Sequence, residues 1–163
     1  MSNNGPVTAE EATKIIFEWA RLHDLQAGLS EFMPYIAEEG FYMRFDGNEW
    51  IGYSDFEKHQ IMKRRFFNEV HEYYDIDIVE GDEKTTATTK MNWAAHYRPE
   101  NSPKSQLIKA YLEHLWEFRR CQKTGRPYMQ GHSVELFEYI EGFAPDEENN
   151  SDPHLDNKWN RRD

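Results

Sequence analysis

Titratable side chains suited to proton transfer are the main functional signal in this sequence. The candidates are one aspartate and five histidines: Asp24, His23, His71, His96, His114 and His132. A neutral imidazole can accept a proton near pH 7, and an imidazolium can return one. Two such rings and a carboxylate around an apolar pocket would be enough for dehydration, isomerisation or aldol-type cyclisation. This chemistry needs no cofactor, and none is predicted.

Several other classes of enzyme are excluded by missing motifs. The chain has no glycine-rich phosphate loop, no Walker lysine motif, no Gly-x-Ser-x-Gly elbow and no Cys-x-x-Cys pair. Its 7 histidines lie among 30 acidic residues. No histidines have the His-x-His or His-Glu-x-x-His spacing that is typical of metal sites, so we predict no metal site.

Each candidate also has an ordinary structural explanation. The pair His23 and Asp24 can cap the end of a helix and interact with its dipole. His71 can be a surface or capping residue, and His114 can be a core histidine whose hydrogen bonds are satisfied. His59, on the apolar stripe of a predicted helix, is interpreted as a packing residue.

The elements that must position these residues begin with helices. A capping box at Thr8 and Glu11 opens a helix that ends near His23 and Asp24. Ser54 and Glu57 form a second box. The first half of the chain thus predicts a helix over 8–24, a short helix near 30–36, hairpin strands over 41–45 and 49–53, and a helix over 54–70.

The second half has the two-residue period of strands, over 73–79, 84–97, 106–120 and 128–141. Even positions are the apolar ones in the last two strands, which places His114 and His132 on the covered face. In 84–97 the odd positions are apolar, which would turn His96 outward unless a bulge intervenes. We predict an α+β fold with three N-terminal helices on a curved mixed or antiparallel sheet.

Length and charge limit the possible partners. A chain of 163 residues with a net charge of −11 is expected to form one domain and to be repelled by nucleic acid and by anionic membranes. The lone Cys121 and the lack of a signal peptide or membrane span indicate a cytoplasmic protein. We expect a flexible arm over 1–7, one domain over 8–143, and an acidic, disordered tail over 144–163.

Two segments carry a family resemblance, FEWARLHD at 17–24 and IGYSDFEKH at 51–59. With the order of elements, they resemble the SnoaL-like branch of the nuclear transport factor 2-like superfamily over residues 8–143. The resemblance implies a cone-shaped α+β barrel enclosing a deep apolar pocket. Its members include polyketide cyclases, ketosteroid isomerases, dehydratases, small subunits of oxygenases, and binding proteins.

The chain is also similar, in its motifs, to the scytalone dehydratases of that superfamily. This similarity implies that Asp24 with His23 orients or takes a proton, and that His71 and His96 serve as base and acid. His114 would position a substrate oxygen, and Tyr42 and Tyr53 are candidates for the tyrosine pair that holds a water molecule. The implied substrate-binding residues are His114, Tyr42, Tyr53, Trp116 and His132.

Our leading hypothesis is a lyase or isomerase, of the dehydratase or cyclase type, acting on a small apolar carbonyl compound such as a polyketide, a terpenoid or an aromatic. The alternative is a non-catalytic ligand-binding or scaffold domain of the same fold. A third possibility is a partner subunit of an oxygenase. We expect a homodimer formed through the outer face of the sheet, where Tyr111 and Met129 are placed.

Overall fold

The computed structural model describes residues 5–99 and 101–146. The predictions for residues 1–4 and 147–163 lie outside this range. The helices are α1 (Ala9–Asp24), α2 (Leu29–Phe32) and α3 (Gly52–Met62), with short 3-10 turns at Met33–Tyr35 and Lys63–Arg65. The strands are β1 (Tyr42–Phe45), β2 (Asn48–Ile51), β3 (Phe66–Val79), β4 (Thr85–Tyr97), β5 (Gln106–Arg120) and β6 (Pro127–Tyr139).

One mixed sheet of six strands carries the helices. The strand order is β2-β1-β6-β5-β4-β3, and β1 runs parallel to β6 while the other pairs are antiparallel. The sheet is curved, but β2 and β3 form its two edges, so the described strands do not close into a barrel. The predicted α+β class, with three helices on a curved sheet, is confirmed. No helix within the described ranges is long and apolar enough to cross a bilayer.

The first helix begins with the predicted capping box. The Glu11 backbone N–H donates to the Thr8 hydroxyl at 3.1 Å, and the Thr8 backbone N–H donates to the Glu11 carboxylate at 3.0 Å. The inward stripe of the helix, including Ile16 and Trp19, is buried against the sheet. The last residue of the helix is Asp24. The capping box therefore fixes where α1 begins. The apolar stripe of α1 fixes the orientation of the helix on the sheet, and so the position of Asp24 at its end.

A buried arginine joins the start of α1 to the end of β5. Arg120 donates to both carboxylate oxygens of Glu11, at 2.6 and 3.1 Å, and to the backbone oxygens of Gly5 and Pro6. These hydrogen bonds hold the pKa of Glu11 at about 2, although burial opposes the shift. The side chain of Val7 is buried as well. Residues 5–7 of the predicted arm are therefore held against the sheet.

The third helix is shorter than predicted. It ends at Met62 instead of reaching Val70. It begins at Gly52 after Ile51, which supplies no side-chain cap, and the predicted Ser54 box does not form; Asp55 accepts the Ile51 backbone N–H at 3.0 Å. The chain is already a strand at Phe66, which pairs with Tyr97 of β4. Aromatic and β-branched residues at 66, 67 and 70 favour the strand, and pairing with β4 supplies its backbone hydrogen bonds.

A β-bulge in β3 decides which residues of that strand face inward. The register with β4 shifts between Phe67 and Val70, and Asn68 has a φ of +51°. The extra residue reverses the alternation, so Glu69, His71 and Tyr73 face the helices. A second shift, between Tyr73 and Asp75, restores the earlier phase.

The last strand also departs from simple alternation. Its register with β5 shifts at two places, and its buried side chains include Met129, His132 and Phe137. Met129 has no exposed surface, so its predicted place on the outer face is wrong. Ile140, predicted to be inward, lies beyond the strand and is exposed.

We predict that Asn68→Val destabilises the protein by about 1–2 kcal/mol, because a β-branched residue is strained at positive φ. Asn68→Gly is the matched control, and its unfolding free energy should stay within about 0.5 kcal/mol of that of the unmodified protein. Asn68 is exposed, so neither change removes a packed contact. Urea unfolding measures the difference, and equal stability of the two variants would contradict the bulge.

Candidate active site

An Asp-His pair joins the end of α1 to the inner face of β3. The His71 Nδ1 and the Asp24 Oδ1 are 2.6 Å apart, and the His71 side chain is 8% exposed while that of Asp24 is 33% exposed. An ionised carboxylate can only accept a hydrogen bond, so Nδ1 is the donor. This tautomer leaves Nε2 of His71 as the basic nitrogen. Asp24 thereby fixes both the orientation and the tautomer of the ring.

His71 lines a cavity of about 60 Å³ between the helices and the sheet. Asp24 is not part of the cavity lining and contacts the His71 ring from the side away from the cavity. The cavity wall is mainly aromatic and aliphatic. These lining residues are Trp19, Met43, Phe45, Trp50, Met91, Trp93, Leu112 and Val134. The titratable lining residues are His23, Arg44, His59, Lys63, His71, Tyr73, His114 and His132, and Arg44 forms an exposed ion pair with Glu49. A base and several polar rings therefore share a small, largely apolar space.

His23 forms part of the wall but offers no nitrogen for proton transfer. Its Nδ1 lies 2.9 Å from the Trp19 carbonyl oxygen, to which it donates, and its Nε2 accepts from the Gln60 amide at 3.3 Å. Burial, and then the charge of Lys63, hold the pKa of His23 well below its ordinary value. The predicted acid-base role of His23 is therefore replaced by a structural one.

His114 and His132 form a stacked pair of neutral rings. Their centroids are 4.6 Å apart and their planes differ by 23°. Burial lowers the pKa of His114 to about 3 and holds that of His132 well below its usual range. Among the described residues, the His114 Nδ1 and both nitrogens of His132 have no hydrogen-bond partner. A buried, unsatisfied polar atom costs about 1–3 kcal/mol, which a ligand bonding these rings would offset.

His96 does not line the cavity. It lies on the outer face of β4, where its ring stacks on Phe67 at 5.6 Å. Its neighbours Ala95 and Tyr97 are buried on the inner face, so strict alternation turns His96 away. No bulge interrupts β4 at this point, and the predicted role of His96 as acid or base is not supported by its position.

The predicted tyrosine pair also lies outside the cavity. Tyr42 donates to Glu117 at 2.9 Å, its ring packs over Gly131, and burial raises its pKa to about 12. A Cβ at Gly131 would meet that ring at 2.0 Å, so only glycine fits there. Tyr53 packs beside the helical core. Neither residue reaches the side of the cavity that carries His71.

Trp116 packs against His132, one of the residues that line the cavity. It is fully buried, its Nε1 donates to the Thr89 hydroxyl at 2.9 Å, and its ring lies 4.6 Å from that of His132. It does not line the cavity. Trp116 was predicted to bind substrate. In the structure it instead contacts His132 and holds that ring in place.

The sequence patterns do not identify four residues of the site. Lys63, Tyr73 and Trp93 line the cavity, and Glu69 lies next to it. Lys63 and Glu69 form an ion pair at 3.2 Å, and the indole N–H of Trp93 donates to Glu69 at 3.0 Å. Burial raises the pKa of Tyr73. The predicted helix over 54–70 conceals Lys63 and Glu69, and the bulge at Asn68 leaves no sequence signal. Tyr73 and Trp93 lie in predicted strands but were not assigned to the site. Among residues 5–99 and 101–146, no group of three or more His, Cys, Asp or Glu side chains could hold a metal ion.

We predict that acid destabilises the protein through its neutral buried rings. Between pH 6.5 and about 3 the unfolded chain binds a proton at His114 that the folded chain does not, so stability is lost as pH falls through this range. His114→Gln should reduce the slope of the unfolding free energy by about 1.4 kcal/mol per pH unit between pH 6 and 5. Urea unfolding at several pH values tests this, and an unchanged slope would contradict it.

Comparison with known proteins finds relatives only at the level of structure. No family model matches the sequence, and no curated protein matches it. A hexachlorocyclohexane dehydrochlorinase of type 2 aligns with a TM-score of 0.65 at 11% identity, over 83% of this chain and 92% of the other. A Novosphingobium aromaticivorans protein assigned as a scytalone dehydratase aligns with a TM-score of 0.64 at 11% identity, over 83% and 89%.

A nuclear transport factor 2-like superfamily protein from Salmonella enterica serovar Typhimurium aligns with a TM-score of 0.62 at 11% identity, over 85% of this chain and 94% of the other. Identities this low say nothing about shared residues or activity. The backbones nevertheless superpose over most of each chain, including the helical layer and the sheet. This chain therefore has the nuclear transport factor 2-like fold.

Proposed function

We propose that the protein is a cofactor-independent lyase or isomerase, of the dehydratase or cyclase type, in which His71 is the general base. The observation that carries the proposal is the 2.6 Å contact between Asp24 and His71 at the wall of an apolar cavity. A carboxylate that holds an imidazole in one tautomer is the arrangement that prepares its second nitrogen to accept a proton.

In such a site His71 both takes a proton from the substrate and returns it. The Nε2 of His71 takes a proton from the carbon next to the substrate carbonyl, and Asp24 stabilises the imidazolium that forms. Negative charge then develops on the carbonyl oxygen, where the neutral rings of His114 and His132 can donate hydrogen bonds. The imidazolium returns its proton either to a leaving hydroxyl group, which departs as water, or to another carbon, which gives an isomer.

The cavity favours a small substrate with a large apolar surface. Indole and phenyl rings of Trp19, Trp50 and Phe45 form much of its wall, and the space of about 60 Å³ excludes a macromolecule. Removing water from such a space strengthens each electrostatic contact inside it. Among polyketide, terpenoid and aromatic carbonyl compounds, a space of this size favours the smallest, which combine an apolar body with one or two oxygens.

Two structural neighbours are named for eliminations, the class of reaction proposed here. Their names describe the loss of hydrogen chloride in one case and of water in the other. Both are similar to this chain only in backbone, so they make elimination a reaction compatible with this fold and transfer neither residues nor a substrate. The alternative is a non-catalytic ligand-binding domain, in which the same polar rings would hold a ligand without turning it over.

Asp24→Asn should abolish most turnover while leaving the fold intact. An asparagine amide can donate to Nδ1, which moves the ring proton to Nε2 and removes the base. We expect turnover on an active member of a panel of small carbonyl compounds to fall by about a thousandfold. The unfolding free energy should change by no more than about 1–2 kcal/mol.

Nitrogen-15 NMR of the histidine rings should show His71 protonated at Nδ1 in the unmodified protein and at Nε2 in the variant. Asp75→Asn, an exposed change on the same strand, is the control and should alter neither measurement. Unchanged turnover in Asp24→Asn would refute the mechanism. A panel compound that raises the melting temperature without forming product would favour the binding alternative.

A second copy of the chain is the expected partner. The outer face of β3 and β5 exposes Val70, Tyr74, Leu107 and Leu115, and the ring of Tyr111 lies 6.4 Å from that of Tyr74. An apolar surface of this kind is costly to leave in water. With a net charge of −11 the chain is a poor partner for nucleic acid or anionic lipid, and we place it in the cytoplasm.

Leu115→Glu should convert this dimer to a monomer, because it sets two carboxylates against each other at a symmetric interface. Light scattering coupled to size-exclusion chromatography measures the mass. Leu25→Glu, which changes an exposed leucine beyond the end of α1, is the control and should leave the mass unchanged. A monomeric unmodified protein would refute the proposed interface.

A further inference from the structure

A buried ion pair borders the cavity, and the proposed proton transfer does not use it. Lys63 lines the cavity, whereas Glu69 lines a neighbouring one. Lys63 and Glu69 are 3.2 Å apart, and their side chains are only 9% and 3% exposed. The Glu69 Oε1 also accepts the indole N–H of Trp93 at 3.0 Å. Lys63 comes from the turn after α3, and Glu69 faces inward only because of the bulge at Asn68.

Stability is a poor explanation for this pair. Removing two charges from water costs several kcal/mol per ion, and an apolar pair of similar volume is often equally stable or more so. On its other side Lys63 borders the largely apolar cavity of His71, so keeping a positive charge at this place lowers the stability of the folded chain. Such a cost is common where a charge has a task in binding or catalysis.

The position of Lys63 indicates what the task is. Lys63 and His23 line both the 60 Å³ cavity and a second cavity of about 210 Å³, so they form the partition between the two. The second cavity is more polar, with Gln26, Gln60 and Glu57 in its lining. After burial, the charge of Lys63 is among the causes that lower the pKa values of His23, His114 and His132. Its field therefore reaches across the cavity.

We propose that Lys63 is the anion-binding group of this cavity and that Glu69 and Trp93 position it. The ligand would carry a carboxylate, or develop an oxyanion, beside the Lys63 ammonium while its apolar body lies against the aromatic wall. This role rests on the proposed function, since it assumes that the ligand occupies the cavity lined by His71. It limits the substrate class to carbonyl compounds that are acidic or become anionic during the reaction.

Formate is a suitable probe because it is a carboxylate small enough for the cavity. The indole N–H of Trp93 reports directly on the ion pair, and its signal can be assigned with Trp93→Phe. Titration with sodium formate at constant ionic strength should give a saturable shift of this NMR signal. A parallel titration with sodium chloride distinguishes a site for carboxylates from a site for any small anion.

Two variants should change the affinity for formate in opposite directions. Lys63→Met should weaken formate binding by about tenfold or more, because the charge-assisted hydrogen bond is lost. Glu69→Gln removes the competing negative charge but keeps an acceptor for Trp93, so it should strengthen binding by about threefold or more. Lys58→Met, an exposed lysine on α3 that lines neither cavity, makes the same change in net charge and should leave binding unchanged.

Absence of a saturable shift in the unmodified protein, equal binding by Lys63→Met, or weaker binding by Glu69→Gln would overturn the role of Lys63. If Lys63→Met does not fold, Glu69→Gln alone still decides the question. These results are independent of the Asp24→Asn experiment. Loss of turnover in Asp24→Asn without formate binding would leave the proposed base in place and remove only the anion site.

Discussion

The contact between Asp24 and His71 is the constraint on which the rest of the site depends. It joins the last residue of α1 to the middle of β3, two elements that are 47 positions apart in the chain. Each end is fixed independently: α1 by its capping box and by Arg120, and β3 by its pairing with β4. A short hydrogen bond between two rigid elements can hold a tautomer, whereas the same residues on loops could not.

The bulge at Asn68 gives β3 a function that regular alternation would deny it. Without the extra residue, His71 would point to the outer face together with Tyr73, and Asp24 would have no partner. One residue at positive φ thus turns three side chains inward: the base His71, the buried Tyr73 and Glu69, the counter-ion of Lys63. Asparagine adopts positive φ more readily than most other residues, so the backbone strain at Asn68 is small beside the loss of three inward side chains.

The sequence predicts the fold better than it predicts the site. Capping at Thr8, the hairpin near 46–47 and the long strands follow from local chemistry, and the alternation of β5 correctly places His114 inside. The extent of α3 and the inward face of β3 depend on pairing with a distant strand, which no local pattern encodes. Asp24 and His71 were singled out for their chemistry, whereas Lys63 and Glu69 were hidden within a helix predicted too long.

Two costs to stability are concentrated around the same cavity. The unpartnered nitrogens of His114 and His132 and the buried pair of Lys63 and Glu69 each lower the stability of the folded chain. The surrounding wall can carry these costs because it is a dense cluster of aromatic rings, with Trp19 in contact with several others. A ligand that bonds the imidazoles and meets the ammonium would recover both costs at once. The polar groups of the cavity therefore act as a template for a ligand with an oxygen-rich end and an apolar body, whichever reaction follows.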